Sequence, residues 1–87
     1  MVSQKVIIKN TTGLHLRPAG MLCIEAIKYQ SRITFRFNND LFNAKSVLSV
    51  LGAGVKCGHE LEFICEGIDE TQALNAIVSM IENGLGE

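Results

Sequence analysis

The sequence predicts an α+β fold in which helices pack on one face of a single antiparallel sheet. Two segments, Arg32–Phe37 and Glu60–Glu66, alternate apolar with polar or acidic residues, which is typical of strands with one buried face. Residues 16–29 and the segment after Asp69 repeat apolar residues every three or four positions, as amphipathic helices do. With the turn signals between them, these segments give the order β-α-β-β-α-β-α.

The first strand is predicted over residues 2–9, where Val6 and Ile8 alternate with lysines. Residues 10–13 are polar and turn-prone, and a helix follows over residues 16–29. The side of this helix that is expected to face the core consists of Ala19, Leu22, Ala26 and Tyr29.

A hairpin follows this helix. Apolar residues in Arg32–Phe37 are expected to line its buried face, and a turn at residues 38–40 connects it to a short partner strand over residues 41–43. The later strand Glu60–Glu66 has the same alternation, with acidic residues facing solvent.

Two more helices complete the predicted order. Ser46 is a favoured N-cap residue for a short helix over residues 47–51, and this helix is expected to close at Gly52 and Gly54. Asp69 opens the last helix, with Gln72 placed as in a capping box. The core stripe of that helix is Leu74, Ile77, Val78 and Ile81, and Gly84 can end it.

Length and composition fit one folded domain over residues 1–87. Hydrophobic residues make up 47% and charged residues 20%, as in globular proteins and unlike disordered tails. A formal net charge of -1 provides no basic field for nucleic acid. No apolar run approaches the roughly 18 residues of a membrane span, and no signal-peptide core is visible. We therefore expect a cytoplasmic domain without membrane insertion or direct nucleic-acid binding.

No metal or cofactor is predicted. Cys23, Cys57 and Cys65 match no zinc-binding spacing, and an odd number of isolated thiols indicates a reducing compartment. The acidic residues of Glu60–Glu66 are interpreted as solvent-facing charges and not as a catalytic pair. His59 has no neighbours at ligand spacing and is interpreted as a loop residue.

The segment Gly-Leu-His-Leu-Arg-Pro-Ala at residues 13–19 carries the strongest chemical signal. Pro18 favours a first helical turn, which places His15 at or just before a helix N-terminus. There, unpaired N–H groups and the helix dipole favour an anion, and Arg17 adds a planar cation. The helix end also disfavours the imidazolium by about 0.3–1 kcal/mol, which keeps a nucleophilic neutral ring. A phosphoryl acceptor fits this setting, and so does a capping histidine beside a surface arginine.

Two further features allow two interpretations each. Ser46, in the segment Asn-Ala-Lys-Ser at residues 43–46, is either a plain N-cap or a phosphorylation site, because a helix N-terminus tolerates an added phosphate. The first two helices carry surplus apolar residues, which predicts either an exposed protein-binding patch or several half-buried side chains. The surplus residues are Leu16, Met21, Ile24, Ile27, Val47, Leu48 and Leu51.

Over essentially its whole length the chain resembles HPr, the histidine-containing phosphocarrier family of the bacterial phosphoenolpyruvate-dependent sugar phosphotransferase system. The resemblance rests on the motifs at residues 13–19 and 43–46, the latter followed by a short apolar helix and Gly54. It implies an open-faced β-sandwich, a four-stranded antiparallel sheet covered on one face by three helices. It also implies a stoichiometric phosphoryl carrier and not an enzyme.

By the same resemblance, His15 would be phosphorylated on Nδ1, with Arg17 supporting the phosphoryl group. Enzyme I, charged by phosphoenolpyruvate, would be the donor, and sugar-specific enzyme IIA domains would be the acceptors. HPr kinase/phosphorylase would phosphorylate Ser46, and that form would serve as corepressor for a catabolite-control transcription regulator. We expect a monomer whose docking surface consists of Leu16, Gly20, Ile24, Val47, Leu48 and Leu51.

Two related functions remain as alternatives. A purely regulatory HPr-like corepressor module would act through Ser46, but such paralogues lack the active histidine, so His15 and Arg17 argue against it. A carrier of the nitrogen-related branch would have the same chemistry and other partners. The chain departs from common family residues in the turn at 38–40 and, on the docking surface, at Leu16, Gly20, Leu48 and Leu51.

Overall fold

The computed structural model describes residues 1–86, which form one antiparallel sheet and three helices. In this part of the chain the elements are β1 (Val2–Ile7), α1 (Leu16–Ala26), β2 (Arg32–Phe37), β3 (Asp40–Asn43), α2 (Val47–Ala53), β4 (Glu60–Glu66) and α3 (Glu70–Glu82). The strands lie in the order β1-β4-β2-β3, and all neighbours are antiparallel. The predicted fold class and element order are confirmed.

The core lies between the sheet and the helices. On β2 and β4 the inward residues Ile33, Phe35, Leu61, Phe63 and Cys65 have almost no exposed surface. Phe35 and Phe63 pair across the two strands, with ring centroids 5.3 Å apart. Because one face of each strand is buried in this way, the alternation in the sequence locates the ends of both strands. Most helix positions that were predicted to face the core are buried, and Tyr29 is the exception, since it is only half-buried: the buried ones are Ala19, Leu22, Ala26, Leu74, Ile77, Val78 and Ile81. Pro18, Cys23, Val50 and Ala73 are buried in the helices as well.

A two-residue turn connects β2 and β3. Asn38 and Asn39 have φ values of 54° and 67°, which is the left-handed conformation that a type I′ turn requires at both positions. Asp40 then pairs with Phe37. The strand β3 therefore begins at Asp40, one position before the predicted start.

Helix α1 ends at Ala26 and not at the predicted residue 29. The N–H groups of Lys28 and Tyr29 donate to the carbonyl groups of Glu25 (3.2 Å) and Ala26 (3.3 Å), which tightens the last turn. The Tyr29 hydroxyl donates to the Glu25 carboxylate (3.1 Å), and Lys45 Nζ donates to the Tyr29 carbonyl (2.7 Å). Tyr29 is thus held by one contact from the last turn of α1 and one from Lys45 outside the helix, which the apolar spacing could not reveal.

Strand β1 ends at Ile7 and not at the predicted residue 9. Ile7 pairs with Glu60, the first residue of β4. Beyond this pair, the Ile8 N–H donates to the His59 carbonyl (3.0 Å), and the Ile8 carbonyl accepts the Gly58 N–H (2.8 Å). These partners belong to the loop before β4, so the regular ladder stops although Ile8 is still buried.

The predictions for the ends of the other two helices are partly wrong. Helix α2 includes Gly52 and ends at Ala53, and its C-cap residue is Gly54, whose φ of 69° is typical of that position. Asp69 precedes α3 as predicted but makes no capping hydrogen bond with its side chain. Instead, its carboxylate accepts the N–H groups of Gln30 and Ser31 (2.9 Å each) and the Ser31 hydroxyl. These three hydrogen bonds to residues 30 and 31, called the Asp69 clasp below, take the place of the predicted capping box.

Candidate functional site

His15 lies at the start of α1, where the motif predicted it. It is the N-cap residue, with extended backbone (φ −74°, ψ −176°), and its carbonyl oxygen accepts the Ala19 N–H at 2.8 Å. The imidazole is exposed and makes no capping hydrogen bond. The ring is therefore accessible to a group carried by another protein.

The turn before His15 is held tightly against the loop that follows α2. Gly13 has a φ of +64°, and a Cβ at this position would lie 2.6 Å from the Val55 carbonyl oxygen and 2.7 Å from Lys56 Cα. The next N–H, of Leu14, donates to the same Val55 carbonyl (3.0 Å), and the Leu14 side chain is buried. Only glycine fits this close approach, so Gly13 fixes the backbone that leads into His15.

Asn10 supports the same turn from inside the protein. Its buried side-chain amide donates to the Gly13 carbonyl, and its backbone carbonyl accepts the Gly13 N–H (3.1 Å). Sequence reasoning treated Asn10 only as one of several turn-prone residues. An asparagine three positions before a glycine, just ahead of a helix, is the signal that could have identified it.

The N-terminus of α1 can stabilise an anion with a small set of donors. The first N–H groups of a helix have no hydrogen-bond partner within the helix. In α1 these donors are the N–H groups of Leu16 and Arg17, because the next residue, Pro18, has no N–H. The positive end of the helix dipole adds to their effect. The Arg17 side chain is exposed, and it takes part in none of the ion pairs formed within residues 1–86.

Two open depressions meet at His15. One, of about 410 Å³, is lined by the beginning of α1 with Arg17 and by the C-terminal residues Leu85 and Gly86. The other, of about 330 Å³, is lined by Leu51 and Lys56, among others, from the loop and helix that face the Gly13 turn. No acidic residue of the described chain lines either depression. His15 therefore lies between two surfaces that each contain one cation.

Two other potentially reactive side chains, His59 and Cys65, have structural roles. His59 lies in a loop, as predicted; its Nδ1 accepts the Lys56 N–H (3.0 Å), and its ring centroid is 5.0 Å from that of Phe37. Burial raises the pKa of the Cys65 thiol to about 11, which makes it unreactive. Within residues 1–86, no cluster of three histidine, cysteine or acidic side chains is placed to hold a metal ion.

In the same part of the chain, the structure contains no helix with the length and hydropathy needed to cross a membrane.

Ser46 is the N-cap residue of α2, as predicted. Its hydroxyl oxygen accepts the Ser49 N–H (3.2 Å), and its carbonyl oxygen accepts the Val50 N–H (3.0 Å). The preceding turn is closed by Asn43, whose Oδ1 accepts the Lys45 N–H at 2.9 Å. This geometry confirms the cap, and the phosphorylation of Ser46 stays a prediction.

The docking surface predicted from the apolar surplus is only partly exposed. Leu16, Ile24 and Leu48 expose 69%, 61% and 83% of their surface. Gly20, Val47 and Leu51 are half-buried, and the last two also pack against the core. Ile27, which sequence reasoning placed in the surplus but not on the docking surface, is 62% exposed. Helices α1 and α2 pack against each other, so their exposed apolar residues lie on neighbouring elements.

Residues 2–83 match the protein-family model described as "PTS HPr component phosphorylation site". The chain thus belongs to the HPr family of the phosphotransferase system, which includes the proteins named phosphocarrier protein HPr.

The individual relatives agree with this family. The phosphocarrier protein HPr of Treponema pallidum is 37% identical over 87 residues, which cover 100% of this chain and 99% of that protein. The structure of HPr-C-His from Thermoanaerobacter tengcongensis has a TM-score of 0.97 and 39% identity, covering 100% of this chain and 98% of that one. The HPr-like protein Crh of Halalkalibacterium halodurans is 34% identical over 82 residues, 94% of this chain and 98% of that protein.

Longer proteins also match. The multiphosphoryl transfer protein of Vibrio cholerae is 46% identical over 85 residues, which are 92% of this chain but only 21% of that protein. The chain spans about a fifth of the length of such relatives.

Proposed function

We propose that this chain, acting as a single domain over residues 1–87, carries a phosphoryl group on His15 in the sugar phosphotransferase system. The main support is the exposed His15 ring at the N-cap of α1, beside the exposed Arg17 and without a capping hydrogen bond. A purely structural capping histidine would be expected to accept a backbone N–H of the first turn with a ring nitrogen, and this one does not.

The transfer requires a neutral ring and a stabilised dianion. The lone pair of His15 Nδ1 attacks phosphorus, an N–P bond forms, and the bond between phosphorus and the donor breaks, its electron pair leaving with the donor. The N–H groups of Leu16 and Arg17, the Arg17 guanidinium and the helix dipole would stabilise the phosphoryl oxygens. When an acceptor nucleophile then attacks the phosphoryl group, a bond forms between the acceptor and phosphorus. The N–P bond breaks, and its electron pair returns to Nδ1 of His15.

The proposed donor is enzyme I, charged by phosphoenolpyruvate, and the proposed acceptors are enzyme IIA domains. Both would bind the docking surface, where apolar Leu16, Ile24 and Leu48 are exposed on neighbouring helices. We propose a cytoplasmic monomer, because a small carrier has to present the same surface to several partners in turn.

Ser46 is the proposed regulatory site. HPr kinase/phosphorylase would phosphorylate its hydroxyl, and the seryl-phosphorylated protein would bind a catabolite-control transcription regulator. The half-buried Ser46 lies at the start of the helix that carries Val47, Leu48 and Leu51. A phosphate there would add about 1.5 to 2 negative charges beside the docking surface.

A regulatory role without phosphoryl transfer is the second candidate, because a Crh protein is among the relatives. The presence of His15 with Arg17 favours the carrier. A carrier of the nitrogen-related branch would differ only in its partners, so the choice of acceptor protein separates it from the sugar branch.

The test is phosphorylation by enzyme I and phosphoenolpyruvate. We expect the wild-type chain to accept one phosphoryl group in an acid-labile linkage and His15→Ala to accept none while staying folded, as judged by circular dichroism. Arg17→Ala should accept it markedly more slowly, and Arg17→Lys should recover part of the rate, because lysine keeps the charge but not the planar donor pair. An acid-stable adduct, or full transfer to His15→Ala, would refute the proposal.

A further inference from the structure

We propose that Lys56 is a second phosphoryl-binding residue, whose ammonium group contacts the phosphoryl oxygens from the depression that does not contain Arg17. This inference rests on the proposed function of His15. It assigns a specific role to a loop residue that follows α2 and that the motif around His15 does not include.

Lys56 lines the same depression as the His15 ring. That depression, of about 330 Å³, also contains Leu51 and Val55, and none of the described residues that line it is acidic. The Lys56 side chain is exposed, and the ion pairs within residues 1–86 leave its ammonium group uncompensated. A strongly hydrated cation with no carboxylate partner among residues 1–86 is thus available next to the reacting ring.

Two contacts fix the backbone of Lys56 relative to the turn that carries His15, and a third anchors it within its own loop. The preceding carbonyl, of Val55, accepts the Leu14 N–H at 3.0 Å. Lys56 Cα lies so near Gly13 that a Cβ there would approach it to 2.7 Å. The Lys56 N–H donates to His59 Nδ1 at 3.0 Å. The lysine side chain therefore starts from a rigid position close to the turn that carries His15, and only the side chain itself has to move.

The charge of the phosphoryl group explains why a second cation would help. A phosphoryl group near neutral pH carries about 1.5 to 2 negative charges. Arg17 supplies one positive charge, and Pro18 removes one of the amide donors that other helix N-termini offer. Lys56 would balance most of the remaining charge. Because lysine acts as a hydrated point charge without a planar donor pair, it would stabilise the group without preventing its release.

The equilibrium of phosphoryl transfer separates this role from partner docking. With a catalytic amount of enzyme I, the ratio of phosphorylated to free protein at a set ratio of phosphoenolpyruvate to pyruvate depends only on the two forms of the carrier. Docking affinity changes the rate of approach to equilibrium but not its position. We would choose a ratio at which about half of the wild-type protein is phosphorylated.

Lys56→Gln should reduce the equilibrium constant for phosphorylation about two- to five-fold, the range expected for one exposed charge-assisted contact. Lys56→Arg should stay near wild type. Lys5→Gln is the matched control, because Lys5 is an exposed lysine of β1 and lines neither depression. Both Lys56 variants should fold, since the hydrogen bond to His59 comes from the backbone of residue 56, and Lys5→Gln should fold because Lys5 is exposed.

An equilibrium constant for Lys56→Gln equal to that of Lys5→Gln would overturn the inference. If only the initial rate fell, Lys56 would contact the partner protein and not the phosphoryl group, which also overturns it. If the wild-type chain accepted no phosphoryl group, the proposed function would fail first, and the inference with it.

Discussion

Replacing Gly13 by alanine tests whether the turn before His15 is held by the loop after α2. The added Cβ would lie 2.6 Å from the Val55 carbonyl oxygen and 2.7 Å from Lys56 Cα, and both are backbone atoms that cannot move away alone. Gly54 is the matched control: its φ of +69° is close to the +64° of Gly13, but beyond its own chain neighbours no atom of residues 1–86 lies within 4 Å of the position of its Cβ.

The two substitutions share the cost of a left-handed alanine and differ in the steric clash. The conformation alone should lower the free energy of unfolding by about 1–2 kcal/mol, which is the value expected for Gly54→Ala. Overpacking adds about 1–3 kcal/mol, so Gly13→Ala should lose about 2–5 kcal/mol in total.

Urea denaturation followed by circular dichroism measures both values, provided that the m-values of the variants agree. We also expect Gly13→Ala, but not Gly54→Ala, to shift the amide resonance of Cys57, because the added Cβ would lie 3.2 Å from the Cys57 nitrogen and Cys57 is a chain neighbour of neither glycine. Equal losses of stability in the two variants would refute the close approach at Gly13.

Three more outcomes can be measured with single variants. Hydrogen bonds from the Ser31 hydroxyl and the Gln30 N–H lower the pKa of the Asp69 carboxyl in the folded protein. The ionised carboxylate therefore stabilises the folded state above the unfolded-state pKa, and this stabilisation is lost as the pH falls through the folded-state pKa. In urea titrations, the stability difference between wild type and Asp69→Asn should therefore be largest near pH 7 and shrink towards about pH 3; a constant difference would contradict the Asp69 clasp. Leu48→Ser should change the unfolding free energy by less than about 0.5 kcal/mol, because Leu48 is 83% exposed, yet raise the KM for phosphorylation by enzyme I; an unchanged KM would remove Leu48 from the docking surface. Ser46→Asp should raise the same KM, and added salt should partly restore it if charge repulsion is the cause; unchanged kinetics would argue against regulation through this residue.

The fold could be predicted from the sequence where one local pattern determines the structure. The bounds of β2 and β4 follow from alternation, because each strand buries one face completely. Pro18 likewise locates the start of α1 and places His15 at its N-cap, because a proline is tolerated only in the first turn of a helix.

Features that depend on distant partners could not be predicted in this way. Asp69 has the sequence context of a capping residue, but its carboxylate binds backbone groups on another loop. Lys56 comes close to His15 only because the loop after α2 packs against Gly13, and no sequence spacing encodes that contact. The excess of apolar residues predicted exposed side chains, yet only the structure shows that Val47 and Leu51 also pack on the core.

The central proposal is most directly tested by locating the phosphoryl group on the intact protein. The chain contains two histidines, so NMR spectra of the imidazole nitrogens, recorded before and after reaction with enzyme I and phosphoenolpyruvate, can distinguish them. We expect the Nδ1 resonance of His15 to show coupling to phosphorus, while His59, whose Nδ1 accepts the Lys56 N–H, keeps its spectrum. The signal should disappear in acid as the N–P bond hydrolyses. Phosphorus coupling at His59, or a phosphoryl group that survives acid on a serine, would contradict the assignment of His15 as the acceptor.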